Sequence, residues 1–303
     1  MRPALLAPAP AGAAAPAPGR PRWPLLRLMR PRQWVKNAFV LAPLVFAGRA
    51  GDAAAWREAA AAALLFTVAS ALVYVFNDLR DVEADRRHPR KCATRPLAAG
   101  WVTRRRALAL WGVLAAALAA GLALRPALVP AIGGYVALNT AYTLWLKHVP
   151  ALDLVCLSGG YLLRLLAGAE AAAAPLSAWM AVTALALSLS LAAAKRLAEQ
   201  SRSGEAGRAV LGRYPPGVLR AVAWGGAVAA LLAYTAFTAL ARPELWPTTP
   251  LVAAGLGRFA LLAHRDRLGE CPTDALWQDR PLLAVVLAWG ALCLWLVPRA
   301  GGG

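Results

Sequence analysis

The chain has 303 residues, of which 59% are hydrophobic and 16% are charged, and its mean hydropathy is +0.51. A soluble domain carries about a quarter charged residues, so this composition excludes an ordinary soluble protein and predicts an integral membrane protein. The formal net charge is +18, but the basic residues lie between apolar segments instead of on one soluble face, so we expect no nucleic-acid partner.

Residues 1–20 form an Ala/Pro-rich stretch whose repeated prolines forbid a continuous helix. We therefore expect residues 1–24 to be a disordered cytoplasmic tail instead of a signal peptide, and residues 25–299 to be one transmembrane domain. The four cysteines form no C-x-x-C pair, so neither a disulfide framework nor a zinc site is predicted.

Nine apolar stretches follow, most of them near the roughly 20 residues that a helix needs to cross the hydrocarbon core. They predict an all-α polytopic membrane protein with about nine transmembrane helices. The stretches are residues 38–48, 59–76, 107–124, 127–146, 151–169, 177–194, 217–241, 247–263 and 282–298. The first is interrupted by Pro43 and the eighth is weakened by Gly255, Gly257 and Arg258, so these two are the weakest spans.

The basic residues are distributed unequally over the connecting loops. With the N-terminus in the cytoplasm, 27 of the 33 fall on cytoplasmic segments, 5 fall on the opposite side, and Arg164 lies within a span. This positive-inside pattern predicts a multi-pass protein of the cell inner (plasma) membrane with a cytoplasmic N-terminus. The longer loops also fall on the cytoplasmic side, where we expect soluble substrate to bind.

Four oxygen-bearing side chains follow the second apolar stretch. If its helix continues, Asn77, Asp78, Asp81 and Asp85 share about a third of the circumference, and Glu83 lies on the opposite side. Like charges this close repel, and a divalent cation relieves the repulsion. Mg²⁺ typically takes one or two carboxylates together with phosphate oxygens and water, so the four residues predict a Mg²⁺ site. The simpler alternative is a solvated helix end.

A run of cations comes next. Lys91 and Arg95 are spaced i,i+4 just before Pro96, where a loop that folds back would place them over a metal-bound anion. For the preceding Arg86, Arg87 and Arg90, anchoring on the cytoplasmic side is the favoured explanation.

The pattern N-D-x-x-D-x-x-x-D at residues 77–85, followed by KCATRP, resembles the UbiA-type intramembrane prenyltransferase superfamily. The resemblance covers almost everything after residue 24. It implies a helical bundle around a cavity that opens to the cytoplasm and to lipid, with Mg²⁺ bridging the acidic motif and a substrate diphosphate.

Further segments are similar to one branch of that superfamily, the decaprenyl-phosphate phosphoribosyltransferases. They are RPRQWVKN (30–37), YTLWLKHVPALD (142–153), GGYLLRLLAGA (159–169), AKRLAE (194–199) and CPTDALWQDRPLL (271–283). This branch implies Mg²⁺-dependent transfer of 5-phosphoribose from phosphoribosyl diphosphate to a polyprenyl phosphate, on the route to lipid-linked arabinose for cell-wall biogenesis.

Ordinary prenyltransferases of the superfamily carry a second acidic motif after the sixth span, where this chain reads AAAKRLAEQ. Lys195 and Arg196 occupy that place, and Glu199 is its one carboxylate. A substrate with an additional phosphate accounts for the exchange, because lysine and arginine neutralise phosphate directly. We expect Lys195 and Arg196 to hold the 5-phosphate or the lipid phosphate.

Five other residues complete the predicted substrate site. Lys36 and Lys147 lie where spans meet the predicted cytoplasmic face, a position that also suits interfacial lysines. Asp153 and Arg164 share a face of one helix, and an arginine this deep in a span faces either a cavity or a buried partner. Tyr142 fits the cavity wall or an interfacial aromatic belt.

Together these residues define the predicted site. We assign catalysis to Asp78, Asp81, Asp85 and Lys91, and metal binding to the acidic motif. Substrate binding is assigned to Lys36, Arg95, Tyr142, Lys147, Asp153, Arg164, Lys195, Arg196 and Glu199.

Two other functions stay open at this point. A prenyltransferase that moves an isoprenoid from its diphosphate to an aromatic acceptor needs the first acidic motif but favours a second one, which is missing. A carrier of anionic lipid would suit the cations and leave the metal ligands unexplained. The sequence leaves open the polyprenyl chain length and whether the chain forms a homo-oligomer.

Overall fold

The computed structural model describes residues 21–88, 91–203, 211–215, 217–264 and 272–300. Of the tail expected over residues 1–24, residues 1–20 therefore lie outside the described residues, and Pro24 begins a helix. The described residues are all-α, without a β-strand. Their helices are α1 (Pro24–Leu28), α2 (Ala42–Phe46), α3 (Ala53–Arg87), α4 (Lys91–Thr94), α5 (Arg104–Leu124), α6 (Val129–Leu144), α7 (Leu152–Ala171), α8 (Ala178–Ser203), α9 (Val218–Leu240), α10 (Thr249–His264), α11 (Pro272–Gln278) and α12 (Arg280–Ala300). Short 3₁₀ segments join some of them, namely Pro31–Leu41, Pro126–Leu128, Leu146–His148, Leu211–Arg213 and Pro243–Thr248.

Seven helices in the described part of the chain are long and apolar enough to cross a membrane. They are α3, α5, α6 with its 3₁₀ lead, α7, α8, α9 and α12. This confirms a multi-pass all-α membrane protein, and the number nine stays a prediction. The first predicted stretch forms the end of a 3₁₀ segment and the five-residue α2, and prolines near the start of both pieces withhold backbone donors. The eighth forms α10, which has 16 residues.

The helices α3 and α7 occupy the middle of the bundle. Each buries 56% of its most apolar segment, whereas α5 and α12 bury only 17% and therefore present most of their surface to lipid. The 3₁₀ segment Pro31–Leu41 lies directly against α7, where a Cβ at Gly168 would overlap the carbonyl oxygen of Val40. Glycine at this position therefore lets the two backbones touch.

The length of α3 places the acidic motif at a membrane face. Asp52 caps the helix by accepting hydrogen bonds from the backbone N–H groups of Ala54 and Ala55 at 2.8 and 3.0 Å. The 35 residues that follow extend about 52 Å, well beyond the hydrocarbon core of about 30 Å. The last three turns of α3, which carry the acidic motif, lie beyond the apolar residues 59–76 that are long enough to span the hydrocarbon.

Candidate active site

The acidic motif forms one face of the end of α3. The helix runs through residues 77–85 without interruption, which confirms the condition on which the shared face depends. Asp78 and Asp85 are buried, with 3% and 6% of their surface exposed, whereas the side chain of Asp81 is 40% exposed. Glu83 is exposed and pairs with Arg86 at 2.9 Å, as expected for the opposite side of the helix.

Lys91 and Arg95 fold back onto this face. Lys91 begins α4, and its Nζ lies 3.3 Å from Oδ1 of Asp85. Arg95 follows α4, and its Nη1 lies 2.9 Å from Oδ1 of Asp78. The short helix after α3 therefore brings the two predicted cations to two different carboxylates of the motif.

Lys147 reaches the motif from a distant part of the sequence. It lies in the 3₁₀ segment after α6, and its Nζ donates a hydrogen bond to Oδ1 of Asp81 at 2.8 Å. Lys36 is half-buried in the 3₁₀ segment Pro31–Leu41 and interacts electrostatically with Tyr74, one turn before the motif on α3. Lys147 therefore contacts the acidic face directly, and Lys36 lies near it.

Arg30 is a site residue that sequence reasoning misses. Its guanidinium forms an ion pair with Oδ1 of Asp78 and lies 4.8 Å from the ring centroid of Tyr74. Arg30 has a φ of 56°, in the left-handed region that non-glycine residues seldom adopt, at the turn between α1 and the 3₁₀ segment. The signals in the sequence are that Arg30 directly precedes Pro31 and begins the segment RPRQWVKN, which carries part of the family resemblance.

Asn77 is held in place by a neighbour that the sequence does not reveal. The hydroxyl of Thr143 on α6, which is 3% exposed, donates a hydrogen bond to Oδ1 of Asn77. The amide of Asn77 is thereby fixed against α6, close to the segment that carries Lys147. A threonine in an apolar helix carries no pattern that would have identified it.

The donor set fits one Mg²⁺ ion. Both arginines that reach Asp78 bind its Oδ1, and its buried Oδ2 has no hydrogen-bond partner among the described residues. A buried carboxylate oxygen without a partner is costly, and a bound cation would satisfy it. The described part of the chain contains no group of three His, Cys, Asp or Glu side chains arranged to hold a metal. The site thus offers one or two carboxylates, the number that Mg²⁺ uses when phosphate oxygens and water complete its shell.

A second polar cluster joins α7, α8 and the segment before α9. Arg196 is fully buried, and its Nε and Nη1 bind Oδ2 of Asp153 at 2.8 Å and Oε2 of Glu199 at 2.6 Å. Its Nη2 donates to the hydroxyl of Tyr142 at 2.9 Å. The hydroxyl of Tyr214 donates to Oδ1 of Asp153, and burial together with this bond raises the pKa of Tyr214 to about 12. Each of the three guanidinium nitrogens of Arg196 thus has a protein acceptor.

Lys195 differs from its neighbour Arg196. The side chain of Lys195 is 28% exposed, and its Nζ lies 3.8 Å from Oε1 of Glu199, a loose contact in comparison with those of Arg196. The expectation that both residues hold phosphate is therefore supported by the accessibility of Lys195 and not by the surroundings of Arg196.

Asp153 and Arg164, which share a face of α7, contact different parts of the bundle: Asp153 binds Arg196 on α8. Arg164 is 4% exposed, and its Nε and Nη1 donate to Oδ1 of Asn37 at 2.9 Å and to the carbonyl of Gly160 at 2.8 Å. Its guanidinium also lies within 5.5 Å of three aromatic ring centroids, those of Phe66, Tyr135 and Tyr161. No carboxylate in the described residues pairs with it. Arg164 therefore ties α7 to the first 3₁₀ segment, α3 and α6, and its assignment to substrate binding stays a prediction.

The acidic helix end, crossed by cations, thus lies within a bundle of helices that are long and apolar enough to cross a membrane. The chain matches the UbiA prenyltransferase family over residues 38–280, and it belongs to this family. The resemblance drawn from the sequence is thereby confirmed.

Curated relatives refine this assignment. The decaprenyl-phosphate phosphoribosyltransferase of Mycolicibacterium smegmatis is 35% identical, over 88% of this chain and 89% of that protein. The protein of the same name from Corynebacterium glutamicum is 33% identical, over 88% of this chain and 84% of that protein. Among solved structures, a UbiA homolog from Archaeoglobus fulgidus bound to DMAPP and Mg²⁺ has a TM-score of 0.66 at 19% identity, over 90% of this chain and 96% of that chain. This likeness shows the shared fold.

Proposed function

We propose that this protein transfers 5-phosphoribose from phosphoribosyl diphosphate to a polyprenyl phosphate of the decaprenyl type and releases diphosphate, with Mg²⁺ as cofactor. The observation that carries the proposal is the interleaving of charges on α3, where each of the three aspartates is paired with at least one cation from another segment. The relatives named decaprenyl-phosphate phosphoribosyltransferase support the choice of donor and acceptor, since they align over 88% of the chain.

The ion pairs on α3 explain how the site accepts a multiply charged donor. Before substrate binds, the cations and carboxylates neutralise one another, so the buried charges are compensated. When a diphosphate enters, Lys91, Arg95 and Lys147 exchange their carboxylate partners for phosphate oxygens. Each cation keeps an anionic partner throughout, so binding does not leave an isolated charge in a poorly hydrated site.

Asp78 and Asp81 would hold Mg²⁺, with Asp85 and Asn77 beside them. The bound ion supplies a Lewis acid that offsets the charge developing on the departing diphosphate. The protein itself contributes the cations: Lys91 and Arg95 stabilise the leaving group as the C1–O bond of the ribose stretches.

The acceptor needs no general base. A phosphate monoester is already ionised near neutral pH, so its oxygen can attack C1 of ribose without losing a proton to the protein. A single displacement of this kind inverts the anomeric centre, and the stereochemistry of the product tests it. The polyprenyl tail stays among the spans, where it is as well solvated as in the bilayer.

The second polar cluster is proposed to hold the additional phosphate of one substrate. Lys195 makes the direct contact, because its side chain is accessible. Arg196 holds Tyr142 and Glu199 in position through hydrogen bonds. This revises the assignment of both residues to direct phosphate binding.

The membrane placement is likewise a proposal. The 27-to-5 distribution of basic residues favours a plasma-membrane protein whose N-terminus and acidic face lie in the cytoplasm. A cavity that opens to the cytoplasm and to lipid would let the soluble donor and the lipid acceptor meet at the end of α3.

Mass spectrometry of the lipid product tests the function. Purified protein is incubated with phosphoribosyl diphosphate, polyprenyl phosphate and Mg²⁺, and the expected product is phosphoribosylated polyprenyl phosphate formed together with diphosphate. A parallel incubation with prenyl diphosphate and an aromatic acceptor separates the prenyltransferase alternative. Product in the second incubation alone would overturn the proposal, and transport without diphosphate release would indicate a carrier.

A further inference from the structure

An apolar groove lies beside the acidic face, at the end of the molecule where α3 finishes and α5 begins. Its volume is about 330 Å³, within the range of small-molecule sites. Its two walls are α1 with its flanking residues, and the loop that leads into α5. The lining residues are Trp23, Pro24, Leu25, Leu26, Met29, Trp101, Val102 and Arg106. Trp23 is 66% exposed, so a large aromatic surface at this groove is open to its surroundings.

Five exposed arginines surround the groove and its walls. They are Arg22, Arg27, Arg104, Arg105 and Arg106. Residues 1–51 and 86–152, which contain both walls, include no aspartate or glutamate at all. The charge at the groove is therefore uncompensated by its own segments, which favours an anionic occupant.

Arg27 links the two walls of the groove. Its guanidinium carbon lies 5.2 Å from the centroid of the Trp101 ring. The cation and the indole together present a positive edge above an apolar floor. A soluble phosphate compound would use the positive edge and leave the indoles and leucines exposed, whereas an amphiphile uses both.

We propose that this groove binds one anionic phospholipid of the same membrane leaflet. Its acyl chains lie against Trp23 and Leu26, and its phosphate is bound by Arg27 and Arg106. This arrangement matches the way basic clusters next to membrane-spanning helices recognise anionic headgroups. The lipid is distinct from the acceptor, whose phosphate must reach the acidic face.

The walls of the groove also carry the two arginines that bind Asp78. Arg30 follows α1 directly, and Arg95 precedes the loop that holds Trp101. Leu28 and Val102, one from each wall, pack in the same buried cluster. A lipid that bridges the walls therefore holds both arginines in position. By holding these arginines, the anionic lipid should lower the KM for phosphoribosyl diphosphate. This regulatory step rests on the proposed function.

Native mass spectrometry of the full-length protein tests the lipid site without any assay of activity. The protein is offered phosphatidylglycerol or phosphatidylcholine, and we expect retention of one phosphatidylglycerol and no retained phosphatidylcholine. Replacing both Arg27 and Arg106 by Gln should weaken retention about 25-fold, because each basic residue near a lipid surface contributes about fivefold. The matched control replaces Arg213 and Arg220 by Gln, since both are exposed and lie on the same predicted membrane face. This variant should retain phosphatidylglycerol as the unmodified protein does.

Three outcomes would overturn the lipid site. These are equal retention of both lipids, equal losses in the two double variants, and displacement of phosphatidylglycerol by polyprenyl phosphate at equal concentration. The last outcome would assign the groove to the acceptor. Selective retention together with an absence of phosphoribosyl transfer would leave the lipid site standing and reject the proposed function. Transfer with the same KM in both lipids would reject the regulatory step alone.

Discussion

Lys147 and Asp81 are 66 residues apart in the sequence, yet Nζ of one lies 2.8 Å from Oδ1 of the other. This ion pair joins the 3₁₀ segment after α6 to the end of α3. It is also the most accessible pair of the acidic face, because the side chain of Asp81 is 40% exposed. Under the proposed function, Asp81 would therefore be the first carboxylate to meet a metal-bound diphosphate, and Lys147 would be the cation that it releases.

Replacing Asp81 by Ala should abolish Mg²⁺-dependent release of diphosphate, with a loss of at least about a hundredfold in kcat. The reason is that the variant loses the accessible metal ligand. Diphosphate release from phosphoribosyl diphosphate by the purified protein is the measurement. Glu83→Ala on the opposite side of α3 is the matched control and should keep full activity. Full turnover by the Asp81 variant would show that the metal assignment is wrong.

Lys147→Ala should lower kcat/KM about ten- to a hundredfold, the range for one charge-assisted hydrogen bond. Lys147→Arg should lose less, because it retains the charge, but should remain below the original protein since the planar guanidinium replaces a compact ammonium. All four lysines of the chain, Lys36, Lys91, Lys147 and Lys195, belong to the candidate site, although arginine supplies every other basic residue.

The matched control for Lys147 is His148→Ala, because His148 is exposed in the same 3₁₀ segment. Steady-state kinetics with varied phosphoribosyl diphosphate distinguish the variants. Equal losses for the His148 and Lys147 variants would mean that the segment as a whole, and not the ammonium group, matters.

Arg30 and Arg95 should act jointly, since both bind Oδ1 of the buried Asp78. Each single change to Ala leaves one cation on this carboxylate, and we expect a moderate loss of activity with a nearly unchanged melting temperature. The double change leaves a buried charge uncompensated, so its loss of stability should exceed the sum of the single losses. Thermal unfolding in detergent measures this coupling.

Arg32→Ala provides the control for Arg30, because its side chain is exposed in the same segment. The contact that Trp277 makes there is with the backbone carbonyl of Arg32, which the substitution retains. Additive stability losses for Arg30 and Arg95 would contradict the idea that the two cations share the compensation of one buried charge.

Helical periodicity made the acidic face predictable. Spacings of one, three and four residues place Asn77, Asp78, Asp81 and Asp85 together on any α-helix, whatever surrounds it. The i,i+4 spacing of Lys91 and Arg95 before Pro96 also suits a segment that folds back onto this face, and their ion pairs with Asp85 and Asp78 show that it does. The apolar stretches likewise predicted the seven long helices, since a span is a property of composition and length.

Contacts between distant segments could not be read in this way. Periodicity put Asp153 and Arg164 on one face of α7, but it does not state which neighbouring helix covers each end of that face. Asp153 meets α8, and Arg164 meets the first 3₁₀ segment. The contact of Arg30 with Asp78 could not be predicted for the same reason, because it spans 48 residues and depends on a left-handed turn.

Substitution of Arg196 should lower the stability of the protein, whereas substitution of Lys195 should raise a KM. Arg196→Met leaves Asp153 buried without its cation, which should cost about 3–5 kcal/mol in the free energy of unfolding. Lys195→Met should leave stability unchanged and raise the KM of the substrate whose phosphate it binds. Adding Asp153→Asn to the Arg196 variant should restore much of the stability, because it removes the uncompensated charge.

Thermal unfolding in detergent and steady-state kinetics on the same preparations separate positioning by Arg196 from phosphate binding by Lys195. If Arg196 instead touched phosphate directly, Arg196→Met would raise KM as Lys195→Met does, with stability preserved. Because Arg196 is buried among Asp153, Glu199 and Tyr142, we expect Arg196→Met to lower stability instead of raising KM. If the guanidinium of Arg196 bound a ligand instead, Asp153 and Glu199 would lose the cation that they share, and the two negative charges would no longer be compensated.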